Sequence, residues 1–136
     1  GLFPLAYELV DADRAQAARE SFHRLIGSYG IRTVAPGEEG FKSDTYWRGP
    51  VWPKAISMGA AAAVKYYPDM VDDVRRGAVN FALKHPSIWE CMNADTGDIA
   101  RGDGGPIATP AVSSNVGSTE LLGALLLLRG EPMLEF

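Results

Sequence analysis

"PKAISMGAAAAVKYYPDMVDDVRRGAVNFALKHP" (Pro53–Pro86) is the stretch that decides the fold class. Prolines at 53, 68 and 86 divide it into two segments of helical length. Pro53 suits the first turn of a helix, where its missing N–H leaves no bond unmade. The helix expected after it, Lys54 to Tyr67, has a centre of small residues, "MGAAAAV", that lets a neighbouring helix approach closely. Pro68 ends it. A second helix, Asp69 to Lys84, places Met70, Val74, Ala78 and Phe81 at spacings of three and four, one apolar face of an α-helix. Pro86 closes it.

Working outward, a helical period runs from Asp11 to Tyr29, with Asp11 or Asp13 as its cap and Ala15, Ala18, Phe22 and Leu25 or Ile26 facing inward. Gly30 follows as a stop. Downstream, a last helix is expected over Ser114 to Leu128, capped by Ser113 or Ser114. Its "LLGALLLL" run (Leu121–Leu128) is too short for a bilayer, which takes about 20 residues, and reads as a helix buried on most sides. Two irregular stretches, Ile31–Pro53 and Ser87–Val112, are rich in turn formers. No strand pattern of useful length appears, so the class is all-α. Loops this long inside a compact domain usually carry function.

The 136 residues imply a single domain. The net charge is −4 and the basic residues are scattered, so a nucleic-acid partner is excluded: phosphate binding needs a basic stripe. No membrane partner is expected either. His23 and His85 are far apart and Cys91 is alone, which argues neither a zinc site nor an internal disulfide. The opening, "GLFPLAYELV", is apolar and helix-like rather than polar and frayed, and reads as a cut through a longer protein. The lone cysteine fits either redox environment. The compartment therefore stays open, with a slight lean to the cytoplasm.

Two segments carry the chemistry. "TYWRGPVWP" (Thr45–Pro53) packs two tryptophans, a tyrosine and an arginine between prolines and a glycine. Indole faces stack on the apolar face of a pyranose, and Arg48 offers a rigid fork for hydroxyls or a carboxylate. The competing reading is that Tyr46, Trp47 and Trp52 plug the core under a loop. In "IWECMNADTGD" (Ile88–Asp98), Glu90 stands between Trp89 and Cys91, ahead of a turn built on Asn93, Asp95, Thr96 and Gly97. A carboxyl in an apolar neighbourhood has its charged form disfavoured, which suits acid–base work. The plainer alternative is a solvated surface glutamate.

Other patterns fail. "NADTGD" lacks EF-hand spacing, with Gly104 where the bidentate glutamate belongs. "RGDGG" (Arg101–Gly105) lacks the Lys-Ser/Thr end of a phosphate loop. "SSNVGS" (Ser113–Ser118) has no positioned histidine. All three read as turns.

In order along the chain, "GLFPLAYELVDADRAQA", "YWRGPVWP" and the "WE-x-x-N-x-D-T-G" element resemble the C-terminal half of the catalytic domain of family 63-type glycoside hydrolases. Within that family the resemblance is greatest to the bacterial mannosylglycerate and glucosylglycerate hydrolases, and it extends over nearly the whole chain. It implies a portion of an (α/α)6 toroid, with the active site at the loop end of the inner helices. It implies that Tyr46, Trp47 and Trp52 wall the subsite for the released sugar, with Arg48 supporting that wall or reaching a hydroxyl. Glu90 matches the general base that activates water. The implied reaction is inverting hydrolysis of an α-glycosidic bond in a small glycoside or oligosaccharide, without metal or organic cofactor.

This sequence departs from the family pattern in three places. The family's general acid, an aspartate from the N-terminal half of the barrel, has no counterpart here. "ECMNADTG" stands where the family usually has "EYYNPETG". No aromatic precedes the last helix in "AVSSNVGSTELLGALL", where a Phe-x-Trp-Ser motif is common. A complete barrel needs on the order of twelve helices of about a dozen residues each. The expectation is a C-terminal portion of a barrel that takes its acid from upstream sequence or covers its flank by self-association. The alternatives are a non-catalytic or truncated sugar-binding relative, or a helical interaction module.

Overall fold

The structure is a computed structural model that describes residues 2–86, 88–102, 105–106 and 115–130, with the backbone alone at 46, 101–102, 105–106 and 115–117. Three short helices come first: α1 (Phe3–Ala6), α2 (Ala12–Ala17) and α3 (Arg19–Leu25). The Asp11 carboxylate caps α2 by accepting the Arg14 N–H at 2.8 Å. The single helix expected over Asp11–Tyr29 is therefore broken and shorter. It kinks at Ala18 and stops at Leu25, where Ile26 turns extended (ψ 122°). Residues Ile26–Gly27 (β1) and Gly30–Ile31 (β2) instead form a minimal antiparallel hairpin, pairing Ile26 with Ile31 and Gly27 with Gly30.

The reason lies across the fold rather than in local period. Gly30 is not a helix stop; its φ of 126° closes the hairpin, and the hairpin lets helix α5 (Val71–Leu83) come into backbone contact. A Cβ at Gly77 of α5 would lie 2.7 Å from the Gly30 nitrogen and 3.0 Å from the Gly27 carbonyl oxygen. Despite the break, Ala15 and Phe22 still face the core. Tyr67 stacks on Phe22 with ring centroids 4.7 Å apart, and its hydroxyl donates to the Ala15 carbonyl at 2.7 Å.

Helix α4 (Pro53–Tyr66) starts on Pro53 and runs through the core. Its Gly59, Ala60, Ala62 and Ala63 are buried, and Ile31 of β2 fits against Gly59. Pro68 ends α4 and opens a single 3-10 turn, Pro68–Met70, that leads into α5. Met70 at the end of that turn and Val74, Ala78 and Phe81 of α5 are all buried, as the spacing predicts. A large side chain buried in this way contributes about 1.5–3 kcal/mol.

Helix α6 (Asn115–Leu128) packs against α4 and α5. Its leucine run predicts burial on most sides, yet only the stripe Leu121, Ala124 and Leu128 is fully buried among its described side chains, while Leu122 is 58% exposed. The helices that cover α6 leave one side of it open, so the apolar sequence outruns the available cover. Arg75 of α5 donates its Nε–H to the Leu128 carbonyl at 3.0 Å and satisfies the free end of α6. The proposed caps Ser113 and Ser114 lie outside the described residues. Residues Arg101–Gly102 (β3) and Gly105–Pro106 (β4) pair antiparallel, Arg101 with Pro106 and Gly102 with Gly105. No described helix is long and apolar enough to cross a membrane.

Candidate active site

The two long irregular stretches are not independent. Val51 bridges to Arg32 on one side and Met92 on the other, and Met92 bridges in turn to Ile99. Val51 N–H donates to the Met92 carbonyl at 2.8 Å and Met92 N–H returns to the Val51 carbonyl at 3.0 Å. This rung staples the aromatic loop to the acidic segment. Trp52 follows the rung on one strand, and Glu90 stands two residues before it on the other.

The aromatic loop is held by its own polar groups. Residues Tyr46–Arg48 form a 3-10 turn, with Arg48 N–H bonded to the Thr45 carbonyl at 2.8 Å. The Lys42 N–H donates to the Arg48 carbonyl at 2.8 Å, and the Arg48 Nε–H donates to the Gly40 carbonyl at 2.8 Å. Arg48 thus braces the loop from an exposed position. Thr33 adds a clamp: its hydroxyl accepts from Gly49 N–H and donates to the Pro50 carbonyl, each at 3.1 Å.

The rings that the sequence grouped together have different surroundings. Trp52 is 6% exposed and belongs to the core, whereas Trp47 is 44% exposed and lies flat on Trp52. The buried indole serves as a floor for the surface one. The core-plug alternative therefore describes Trp52 and does not describe Trp47. The Tyr46 side chain lies outside the described residues.

Glu90 is half-buried between half-buried Trp89 and fully buried Cys91. Burial, with a smaller push from the Glu90 charge, drives the Cys91 thiol up to about 12. His85 meets Trp89 edge-on at 6.4 Å between ring centroids, and its Nε2 lies 2.9 Å from the Gly97 carbonyl oxygen. These contacts hold the segment on which Glu90 is carried.

In the sequence Asn93 and Asp95 read only as turn formers, and neither Arg32 nor Asp44 stands out. Asn93 is 8% exposed; its Oδ1 accepts the N–H of Asp95 at 2.9 Å and of Thr96 at 3.1 Å, and its Nδ2 donates to Asp44 at 2.8 Å. Arg32 is 7% exposed, pairs with the Asp95 carboxylate and donates to the Ile26 carbonyl at 2.7 Å. Its Nε finds no hydrogen-bond partner among the described residues. A buried arginine in an irregular segment has no local period to reveal it. The side-chain amide of an Asx turn is legible in "NADTG", but its long-range partner is not.

Elsewhere a cleft of about 500 Å³ opens between α1, α3 and α4, lined by Leu2, Leu25, Val34 and Met58 with the Arg24–Glu38 pair beside it. It touches none of the residues nominated from sequence. Among the described residues, no three His, Cys, Asp or Glu side chains gather as metal ligands.

The chain is mostly helical, and the side chains singled out from sequence lie on loops stapled to each other beside the helices. Residues 1–106 match the mannosylglycerate hydrolase MGH1-like glycoside hydrolase domain, and the chain belongs to that family. It is similar to the family 63 mannosylglycerate hydrolase of Thermus thermophilus, solved in complex with glucose, at 23% identity and a TM-score of 0.68 over 96% of this chain. The same enzyme with Tris and D-glycerate superimposes with a TM-score of 0.66 at 22% identity, again over 96% of this chain and 29% of the enzyme. The mannosyl-oligosaccharide glucosidase of Saccharomyces cerevisiae is 25% identical over 93 residues, 64% of this chain and 11% of the yeast protein. The fold is a portion of the family's helical toroid. The chain spans 28% of the Thermus enzyme's length in the glucose complex.

Proposed function

We propose that this chain is the C-terminal part of an (α/α)6 catalytic barrel and supplies the general base and a sugar-binding wall for inverting hydrolysis of an α-glycosidic bond. Glu90 takes a proton from water as that water attacks the anomeric carbon. A carboxylic acid from another part of the same polypeptide protonates the leaving oxygen. The two carboxyl groups then stand roughly 6.5–9.5 Å apart, which leaves room for the water on the face opposite the leaving group. The carboxylate activates the water and the carboxylic acid protonates the leaving oxygen, so this two-carboxyl reaction uses no metal or organic cofactor.

The observation that carries this reading is the Val51–Met92 rung, which brings the segment of Glu90 beside the loop of Trp47 and Trp52. An indole held flat on a buried partner offers a preorganised surface to a pyranose. Arg48 supports the loop through the Gly40 carbonyl. The glucose complex of the similar Thermus enzyme supports a saccharide ligand of small size. The chain's share of that enzyme's length supports an acid supplied from elsewhere in a longer polypeptide.

The test is hydrolysis of mannosylglycerate, glucosylglycerate and a panel of α-linked disaccharides, by this chain and by the longer polypeptide that carries it, with proton NMR of the released anomer. The expected result is an inverted anomer from the longer polypeptide, abolished by Glu90→Gln with ligand affinity retained. Turnover that survives Glu90→Gln, or a retained anomer, removes the role given to Glu90.

A further inference from the structure

Alongside the backbone rung, a side-chain hydrogen bond joins the acidic segment to the aromatic loop. Asn93 Nδ2 donates to Asp44 Oδ1 at 2.8 Å, while Asn93 Oδ1 accepts the N–H groups of Asp95 and Thr96. Both ends of the amide are used, which fixes its orientation: only the oxygen can accept two N–H groups, and only the NH2 can donate to a carboxylate. The amide is buried, so either bond left unmade there costs stability.

We propose that Asn93, through Asp44, is a positioning residue for the hydrolytic site: it sets where Glu90 stands relative to the face of Trp47. The proposal rests on the role given above to Glu90. Glu90 lies three residues before Asn93, and Trp47 lies three residues after Asp44. The Val51–Met92 rung ties the two segments at one pair of residues. The Asn93–Asp44 bond adds a further point of attachment, nearer to Trp47 along the loop. Behind it the turn of residues 93–98 is anchored, because Asp95 is paired with buried Arg32, which also holds the Ile26 carbonyl. On the other side, Asp44 enters a loop closed by the Lys42–Arg48 and Arg48–Thr45 backbone bonds. Besides the direct Arg32–Val51 bridge, a side-chain chain of contacts thus runs from Arg32 through Asp95 and the Asn93 amide to the loop of Trp47. A general base displaced by about 1 Å from its water loses on the order of 100-fold in rate.

The pair allows a swap that a merely structural asparagine does not require. In Asp44→Asn/Asn93→Asp, the new carboxylate at 93 accepts the same two N–H groups and the new amide at 44 donates to it. All three bonds return, with donor and acceptor exchanged in the bond between the loops. Asn93→Asp alone sets two carboxylates face to face.

The experiment measures kcat, KM and melting temperature of the full polypeptide with the substrate it turns over, for the parent, Glu90→Gln, Asn93→Asp and the double swap. The expected result is a fall in kcat of about 100-fold for Asn93→Asp with KM little changed, and recovery of most of that loss in the swap. An unchanged kcat in folded Asn93→Asp overturns the proposal. So does a well-folded swap that stays as slow as the single variant, and so does a rise in KM with kcat intact, which makes the pair a substrate contact. Where Asn93→Asp fails to fold, Asp44→Ala replaces it: it removes the acceptor and leaves the 93–96 turn bonds in place. Its kcat must fall in the same way, and an unaltered kcat overturns the proposal. If the parent is inactive or Glu90→Gln remains active, the hydrolytic reading itself fails. An inactive Glu90→Gln beside an unimpaired Asn93→Asp removes the positioning role alone.

Discussion

Trp47 lies flat on Trp52, their ring centroids 4.3 Å apart and their planes 7° from parallel. One ring is core and the other is surface, so the two tryptophans of one short motif do different work. The buried ring fixes the height and tilt of the exposed one.

Truncation of each ring separates these tasks. Trp52→Ala removes a buried indole and is expected to cost about 3–5 kcal/mol of stability. Trp47→Ala removes a stacked but exposed ring and is expected to cost about 1 kcal/mol. Under the proposed function, its larger effect is expected on saccharide affinity. Urea unfolding of both variants, with sugar binding by calorimetry for Trp47→Ala, checks the division; equal stability losses would contradict it.

Gly77→Ala tests the contact between α5 and the β1–β2 hairpin. Alanine favours a helix over glycine by up to about 1 kcal/mol, so an open site would be stabilised. Here the added Cβ meets the backbone of Gly30 at 2.7 and 2.9 Å and the Gly27 carbonyl oxygen at 3.0 Å, and no side chain can rotate away. Overpacking wins. The expected net loss is about 1–3 kcal/mol by denaturant unfolding, and a gain in stability would show that the helix and hairpin separate readily.

The Cys91 thiol, raised to about 12 by burial, sets a pH dependence with a definite sign. Its neutral form is favoured in the folded chain, so the associated stability is present below the ordinary thiol value of 9.0 and is lost as pH rises from there towards 12. At about pH 8 the folded protein carries almost no thiolate at this site. Disulfide-exchange reagents are therefore expected to react only through unfolding, at a rate that follows denaturant concentration. Cys91→Ala should flatten the stability loss above about pH 9. Rapid labelling of the native chain at about pH 8 would show instead that the segment next to Glu90 opens locally.

The helices α4 and α5 were legible because prolines at 53, 68 and 86 mark their ends and because Met70, Val74, Ala78 and Phe81 repeat at helical spacing. The third strong element, α6, was legible from its leucines, but its burial was not: how many faces of a helix are covered depends on how many neighbours it has. The stretch Asp11–Tyr29 misled because its apolar period continues through Leu25 and Ile26, and nothing local announces that Ile26 will pair with Ile31. That pairing follows from the fit of Gly30 against Gly77, two residues far apart in sequence.

For the site, local chemistry was readable and relative position was not. Aromatic residues between prolines and a glutamate ahead of an Asx turn are recognisable as strings, since side-chain type and turn chemistry are local properties. Which tryptophan is buried depends on what packs over it, and the partner of Asn93 lies in another loop. Sequence by itself determined the all-α class, the helix ends set by proline, and the residue types available for sugar binding and acid–base work. Tertiary structure alone decided that Val51 pairs with Met92, that Trp52 sits beneath Trp47, and that Arg32 and Asp44 grip the turn of Asn93. The physical reason is that each of these is a contact between segments, and its energy depends on geometry that no single segment contains.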